Sequence, residues 1–375
     1  MKWSLNLGKI AGIQVFIHWT FLILLGWIVI NVAGEGINET LWSTAFILSI
    51  FVCVFLHEMG HALAARRYGI GTRDITMLPI GGLARLETMP DNPKEEFVVA
   101  VAGPLVNVAL AGLLAAIIYL LNREVVPMAL SNIGFSNFFN NLFWANMVLA
   151  VFNMIPAFPM DGGRVLRALL SFRLERTTAT RIAASIGQLL AIGFVFVGLL
   201  YNPVLIFIGI FIFLGAQAEA SYTQTQSLLH GSTVGDVVMH NFNTLDVTDT
   251  IQTAVTMLLD GQATDFLVLN ENSVAGTLSR NQMIKALSEQ GDQTPVGSVM
   301  QSDIPTLSSD MPLEKAYQLF QQERYPLLPV LDNDKIIGIV DLENVHEFIM
   351  VKGAQKEGGE APHQTGASDS HYKYA

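Results

Sequence analysis

Charge is scarce in this chain: Asp, Glu, Lys and Arg make up 14% of its 375 residues, while 51% are hydrophobic and the mean hydropathy is +0.43. An ordinary soluble protein of this length is excluded, since charged side chains normally supply about a quarter of one. Cysteine is nearly absent. Cys53 stands alone inside an apolar run, so there is no disulfide framework and thiols say nothing about compartment. No basic stripe with interleaved aromatics occurs, and the net charge of −11, carried largely by the second half, argues against nucleic acid as a partner.

What is present is unevenly spread. Residues 1–220 hold almost all the long apolar runs, whereas 230–350 read as soluble sequence. The chain therefore divides into a membrane part over 1–222, a linker over 223–229, a soluble part over 230–352 and a disordered tail over 353–375. That tail is rich in Gly, Ser, Glu and His without periodicity, and its His363 and His371 are not expected to be ligands. Six segments, 14–33, 43–65, 97–121, 138–160, 182–200 and 203–219, are each near the roughly 20 residues that cross about 30 Å of hydrocarbon. The first is not read as a signal peptide, because it is long and no small-residue cleavage site follows it. Lys2, Lys9, Arg66, Arg67, Arg73, Arg85, Lys94, Arg164, Arg167, Arg173, Arg176 and Arg181 fall on one side of these spans and only Arg123 on the other. That asymmetry places both termini and the soluble part in the cytosol of a multi-pass cell-membrane protein.

The second span contains His57-Glu58-Met59-Gly60-His61, an H-E-x-x-H pattern. Histidines at i and i+4 share a helical face, so two imidazoles can meet on one zinc ion while Glu58 reaches a water on that ion. The same pattern arises by chance in soluble helices. Within an apolar run, however, ionisable groups cost on the order of 2.5–3.5 kcal/mol each and are expected to have partners, of which a metal is one. A third ligand is sought in Asn153-Met154-Ile155-Pro156-Ala157-Phe158-Pro159-Met160-Asp161-Gly162-Gly163. Its prolines break regular helix, and irregular backbone at membrane depth survives only when buried in protein or lining a wet cavity. Asp161 offers a carboxylate that either joins the site or caps the helix through Arg164 and Arg167, and Asn153 offers an amide donor. His18 is read with Trp19 as an interfacial anchor, and Asn107, Asn146 and Gln188 as polar glue between helices.

The pair H-E-x-x-H and N-x-x-P-x-x-P-x-D-G-G resembles the site-2 protease family of intramembrane zinc metalloproteases, in the branch carrying cystathionine-β-synthase-type (CBS) domains. The resemblance runs from Ile17-His18-Trp19 through Gly81-Gly82 and Ala102-Gly103-Pro104-Leu105-Val106-Asn107 to the soluble part. It implies one Zn²⁺ per chain held by His57, His61 and Asp161, Glu58 as general base, and Asn153 stabilising the developing oxyanion. It also implies single-span membrane proteins as substrates, with the lipid bilayer as surroundings. Residues 70–90 read as a hairpin or re-entrant strand with turn glycines, which the resemblance places beside the active site.

Shifting residues 233 onward by 62 aligns Val234-Gly235 with Val296-Gly297, Thr244-Leu245 with Thr306-Leu307, and Gly276 with Gly338. One unit is used twice, with copies over about 230–290 and 291–352. Each reads as a turn, an amphipathic helix (251–259; 313–320), an apolar strand (266–269; 327–331), a hairpin into a second strand and a closing helix. The unit resembles a tandem CBS pair, a module that commonly senses adenine nucleotides. The usual G-x-x-T/S-x-x-D ribose contact is altered in both copies, to Gly276-x-x-Ser279-x-x-Gln282 and Gly338-x-x-Asp341-x-x-Asn344. Adenine-nucleotide binding and a structural role as a homodimer contact both stay open. The expected fold is thus a polytopic α-helical membrane domain of about six transmembrane helices with a small re-entrant β-hairpin, followed by an α+β tandem CBS module. A CBS-regulated transporter or channel is the alternative, although no inverted repeat is visible.

Overall fold

The structure, a computed structural model, describes residues 4–79, 81–88, 90–128, 134–261, 264–271, 273–322, 325–333 and 335–359. The chain separates into two units, Met1–Thr223 and Gln224–Ala375.

In the first unit, the β-branched and aromatic run Ile-Gln-Val-Phe-Ile-His forms strand β2 (Ile13–His18), paired antiparallel to β1 (Ser4–Ile10) and parallel to β3 (Thr72–Leu78). Strand β4 (Gly81–Leu86) pairs antiparallel with β3, giving a four-stranded sheet in the order β1-β2-β3-β4 with β4 at one edge. The hairpin expected at 70–90 is therefore half of a larger sheet; Ile80 and Met89 lie outside the described residues. Residues 14–18, counted into the first span, belong to a strand. Helix α1 (Trp19–Val32) begins after them, capped by the His18 imidazole, which accepts from Thr20 N–H.

Helix α2 (Ile37–Arg67) packs against the sheet through Met59 and Ala62, which meet Ile13, Ile75 and Met77. Helix α3 (Pro93–Leu120) starts with Asn92 as N-cap and lies along α2. Helix α4 (Phe138–Asn153) ends seven residues earlier than the span expected at 138–160, because Pro156 and Pro159 follow. Then come α5 (Asp161–Ser171), α6 (Arg176–Leu200) and α7 (Val204–Leu229). The segment 223–229, read as a linker, is the end of α7. Among the described residues four helices, α2, α3, α6 and α7, are long and apolar enough to cross a membrane. Large apolar side chains such as Val52, Leu105, Leu189, Phe196 and Phe207 are exposed on them, the outward face that lipid requires.

The second unit contains two copies of one motif. Copy one comprises β5 (Thr244–Asp246), α8 (Ile251–Asp260), β6 (Asp265–Asn270), β7 (Ser273–Ser279) and α9 (Arg280–Gln290). Copy two comprises β8 (Leu307–Ser308), α10 (Leu313–Gln322), β9 (Leu327–Asp332), β10 (Lys335–Asp341) and α11 (Leu342–Gly359). The segment entering each copy pairs with the last strand of the other: Met239 bridges Ile339 and Gln301 bridges Thr277. This explains the aligned glycines, because a Cβ at Gly276 would strike the Gln301 carbonyl and one at Gly338 would sit 2.5 Å from that of Met239. Helix α11 continues through Gly359, so residues 353–359 of the expected tail are helical. The remainder, with His363 and His371, lies outside the described residues.

Candidate metal centre

On α2, His57 and His61 project from one face and both are buried. Asp161, the first residue of α5, meets them. Its Oδ2 is 3.2 Å from each Nε2, and the two Nε2 atoms are 3.1 Å apart. These three residues form a potential metal-binding group among the described residues. Asp161 is the first residue of the helix rather than its N-cap: Met160 holds the cap position, no side chain caps this helix end, and the Asp161 carboxylate faces the cluster instead. The carboxylate reaches inward because Gly162 and Gly163 let α5 nest on the preceding loop: a Cβ at Gly163 would lie 2.6 Å from Phe158 N, and one at Gly162 would meet the Ile155 carbonyl.

The donor set fits a tetrahedral ion. Ligands about 2.0–2.1 Å from zinc stand about 3.3 Å apart at tetrahedral angles, close to the observed triangle, and two nitrogens with one carboxylate leave a fourth position open. Proton bookkeeping agrees. His61 Nδ1 lies 2.7 Å from the Val99 carbonyl, which can only accept, so this ring donates from Nδ1 and its neutral form turns a lone pair toward the cluster. His57 Nδ1 contacts Asn107 Oδ1. Val99 and Asn107 both stand on α3, and between them Gly103 lets that helix close on the imidazoles; a Cβ there would lie 2.7 Å from His57 Nε2.

Glu58 lies half-buried on the side of α2 facing the sheet. Its Oε2 accepts from Ala84 N–H at 3.1 Å, and Gly82 gives its stem room, since a Cβ there would press on Glu58 Cγ. Asn153 is held elsewhere: its Nδ2 donates to the Leu149 carbonyl of its own helix at 3.0 Å.

Arg167 departs from its sequence reading. Counted among the topogenic loop charges, it is 1% exposed, donates from Nε to Glu96 at 2.7 Å and from Nη1 to Glu219 at 2.5 Å, and stacks 5.1 Å above the Phe158 ring. It ties α5, and with it Asp161, to α3 and α7. A charge inside an apolar region was the signal available for this network. The Val99 carbonyl, being backbone, left none.

Residues 45–131 and 123–200 match peptidase family M50, and residues 234–289 and 296–351 each match the CBS domain. The zinc metalloprotease MJ0392 of Methanocaldococcus jannaschii is 36% identical over 244 residues, covering 64% of this chain and 68% of that protein. This chain belongs to peptidase family M50. The M50 peptidase is also 28% identical over 383 residues to Rip3 of Mycobacterium tuberculosis, across 94% of both chains. The solved site-2 protease from M. jannaschii shares 34% identity over 58% of this M50 peptidase and 95% of the solved chain, with a TM-score of 0.43. Membership of a peptidase family sets aside the transporter or channel alternative.

Proposed function

We propose that this M50 peptidase is an intramembrane zinc metalloprotease, cutting peptide bonds in or beside transmembrane segments, with His57, His61 and Asp161 holding the ion and Glu58 as general base. The convergence of two imidazole nitrogens and one carboxylate oxygen within 3.2 Å of one another carries the assignment. When bound, zinc would polarise the scissile carbonyl and lower the pKa of a water toward about 7.

The chain's own groups do the rest. Glu58, next to His57 on α2, accepts a proton from the attacking water and returns it to the leaving amine, a contribution of about 10²–10⁴-fold. Its bond to Ala84 N–H aims the carboxylate and ties it to β4. Asp161 balances positive charge at the site. The paired Nδ1 positions of both imidazoles hold the rings in orientation. Asn153 remains the candidate oxyanion donor by family resemblance, reached by leaving Leu149.

The finer topology is proposed as well. Six crossings, with the shorter α1 and α4 joining the four long helices, put both termini and the CBS pair in the cytosol and the site near the cytosolic ends of its helices. Single-span membrane proteins are the substrates, and the CBS pair regulates the peptidase. For that pair a structural or dimerising role is favoured over nucleotide sensing, because the altered ribose positions are occupied by helix caps. Ser279 and Gln282 form a reciprocal capping box, and Asp341 Oδ1 accepts from Asn344 N–H at 2.7 Å.

The test compares wild type with Glu58→Gln as full-length protein, using a tagged single-span substrate. Zinc content should be unchanged and cleavage should fall by about 10²-fold or more. Cleavage at the wild-type rate, or a purified wild type without zinc, refutes the assignment.

A further inference from the structure

His61 and His57 solve one problem by different means. The imidazole of a metal-ligating histidine must keep its proton on the far nitrogen so that the near one offers a lone pair. For His61 the partner is the Val99 carbonyl, which has no donor to offer. For His57 the partner is the side-chain amide of Asn107, which has an accepting and a donating end and, turned over, would stabilise the wrong tautomer. Something else must set its direction.

Asn107 is fully buried, and its Nδ2 donates to Asn146 Oδ1 at 3.0 Å. Asn146, on α4 and also fully buried, donates from its own Nδ2 to the Leu142 carbonyl at 2.9 Å and to Cys53 Sγ at 3.3 Å. The Leu142 carbonyl is backbone and can only accept. Turning Asn146 over would face oxygen against oxygen there, and turning Asn107 over would face its oxygen against that of Asn146. The direction of the row is therefore fixed from its far end.

We propose that Asn107 and Asn146 form a polarity relay that holds His57 in the Nδ1–H form, making them positioning residues for the metal ligand rather than glue between helices. Each amide turns its oxygen toward the next donor, so His57 meets an acceptor and directs its Nε2 lone pair at the cluster. The relay rests on His57 being a ligand, as proposed above.

Passive glue and a relay differ in what a compensating change does. In Asn146→Leu, Asn107 loses the partner that sets its direction and is free to turn over. Adding Asn107→Asp replaces the two-ended amide with a carboxylate that accepts in either orientation. Full-length wild type, Asn146→Leu, Asn107→Asp/Asn146→Leu and His57→Ala are purified in detergent, with zinc affinity read by chelator competition and geometry by the visible spectrum of bound cobalt(II). Asn146→Leu should weaken zinc by about 10–100-fold and alter the cobalt spectrum, and the double variant should recover both toward wild type. Wild-type affinity in Asn146→Leu, or a double variant no tighter than the single one, overturns the relay. If His57→Ala loses zinc while Asn146→Leu does not, the relay alone fails; if His57→Ala binds zinc like wild type, the ligand assignment fails and the relay with it. Should the leucine variants not fold, ¹⁵N-histidine spectra of zinc-loaded wild type decide, with His57 identified by its loss in His57→Ala. A proton on Nδ1 supports the relay, and one on Nε2 overturns it.

Discussion

Replacing Gly103 with alanine puts one methyl group where α3 most closely approaches the metal centre. The new Cβ would overlap His61 Nε2, its nearest neighbour, and stand 2.7 Å from His57 Nε2, against an ordinary carbon contact of about 3.5 Å, so the rings must retreat by at least about 0.8 Å. Zinc sites tolerate deviations of about 0.2 Å in ligand position, so at least one imidazole leaves the ion. Retreat of α3 offers no escape, since it would stretch the bonds from His61 to the Val99 carbonyl and from His57 to Asn107. Losing a ligand exceeds the 10–100-fold cost of losing a partner behind one, which sets a fall of at least about 100-fold in zinc affinity, or about 2.8 kcal/mol. Chelator competition on purified full-length protein measures this, with thermal unfolding in the same detergent confirming the fold. A folded Gly103→Ala protein that binds zinc as tightly as wild type would refute the metal-centre geometry.

Stripping the metal with 1,10-phenanthroline should stop cleavage of a single-span substrate and added zinc should restore it; activity persisting in metal-free protein would contradict a zinc mechanism. Arg167→Met leaves Glu96 buried without its partner and should cost about 3–5 kcal/mol by denaturant unfolding, whereas a loss near zero would show the network to be dispensable. Gly338→Ala drives a Cβ into the Val238–Met239 crossing and should destabilise the CBS pair by about 1–3 kcal/mol, read as an earlier unfolding transition in full-length protein. At Asp246, hydrogen bonds from the Thr248 hydroxyl and backbone N–H hold the carboxyl below its usual value. A folded pKa below the unfolded one, about 3.9, stabilises at higher pH and is lost as pH falls through that range. The Tm gap between wild type and Asp246→Asn should therefore be open at pH 7 and narrow as pH falls below about 4, and a gap constant with pH would refute it.

Much of this architecture is written into local spacing. The i, i+4 histidines fall on one helical face whatever surrounds them, prolines 156 and 159 stop α4, and the offset of 62 marks the repeated unit. Residues 14–18 read as part of the first span because a short run of β-branched and aromatic residues beside an apolar helix is continuous with it in hydropathy, and periodicity cannot divide them. Pairing with β3, far along the chain, makes them a strand. The burial of Arg167 is hidden from the sequence for a related reason: its partners Glu96 and Glu219 lie on α3 and α7, and only tertiary packing brings them to it. The residues standing behind the ligands were visible only as lone polar side chains, since their work depends on which atom faces which.

The parallel contact between β2 and β3 has a consequence for biogenesis. The β1-β2 hairpin is synthesised before β3, so its permanent neighbour exists only once α1 and α2 have been made and the chain has returned. Until then one flank of β2 is an unpaired template, and closing it is a non-local, slow step. Trimming the amino terminus through residue 18 would strip β3 of the strand beside it and loosen the support that aims Glu58, so tags and truncations there should be judged by cleavage, not by expression alone.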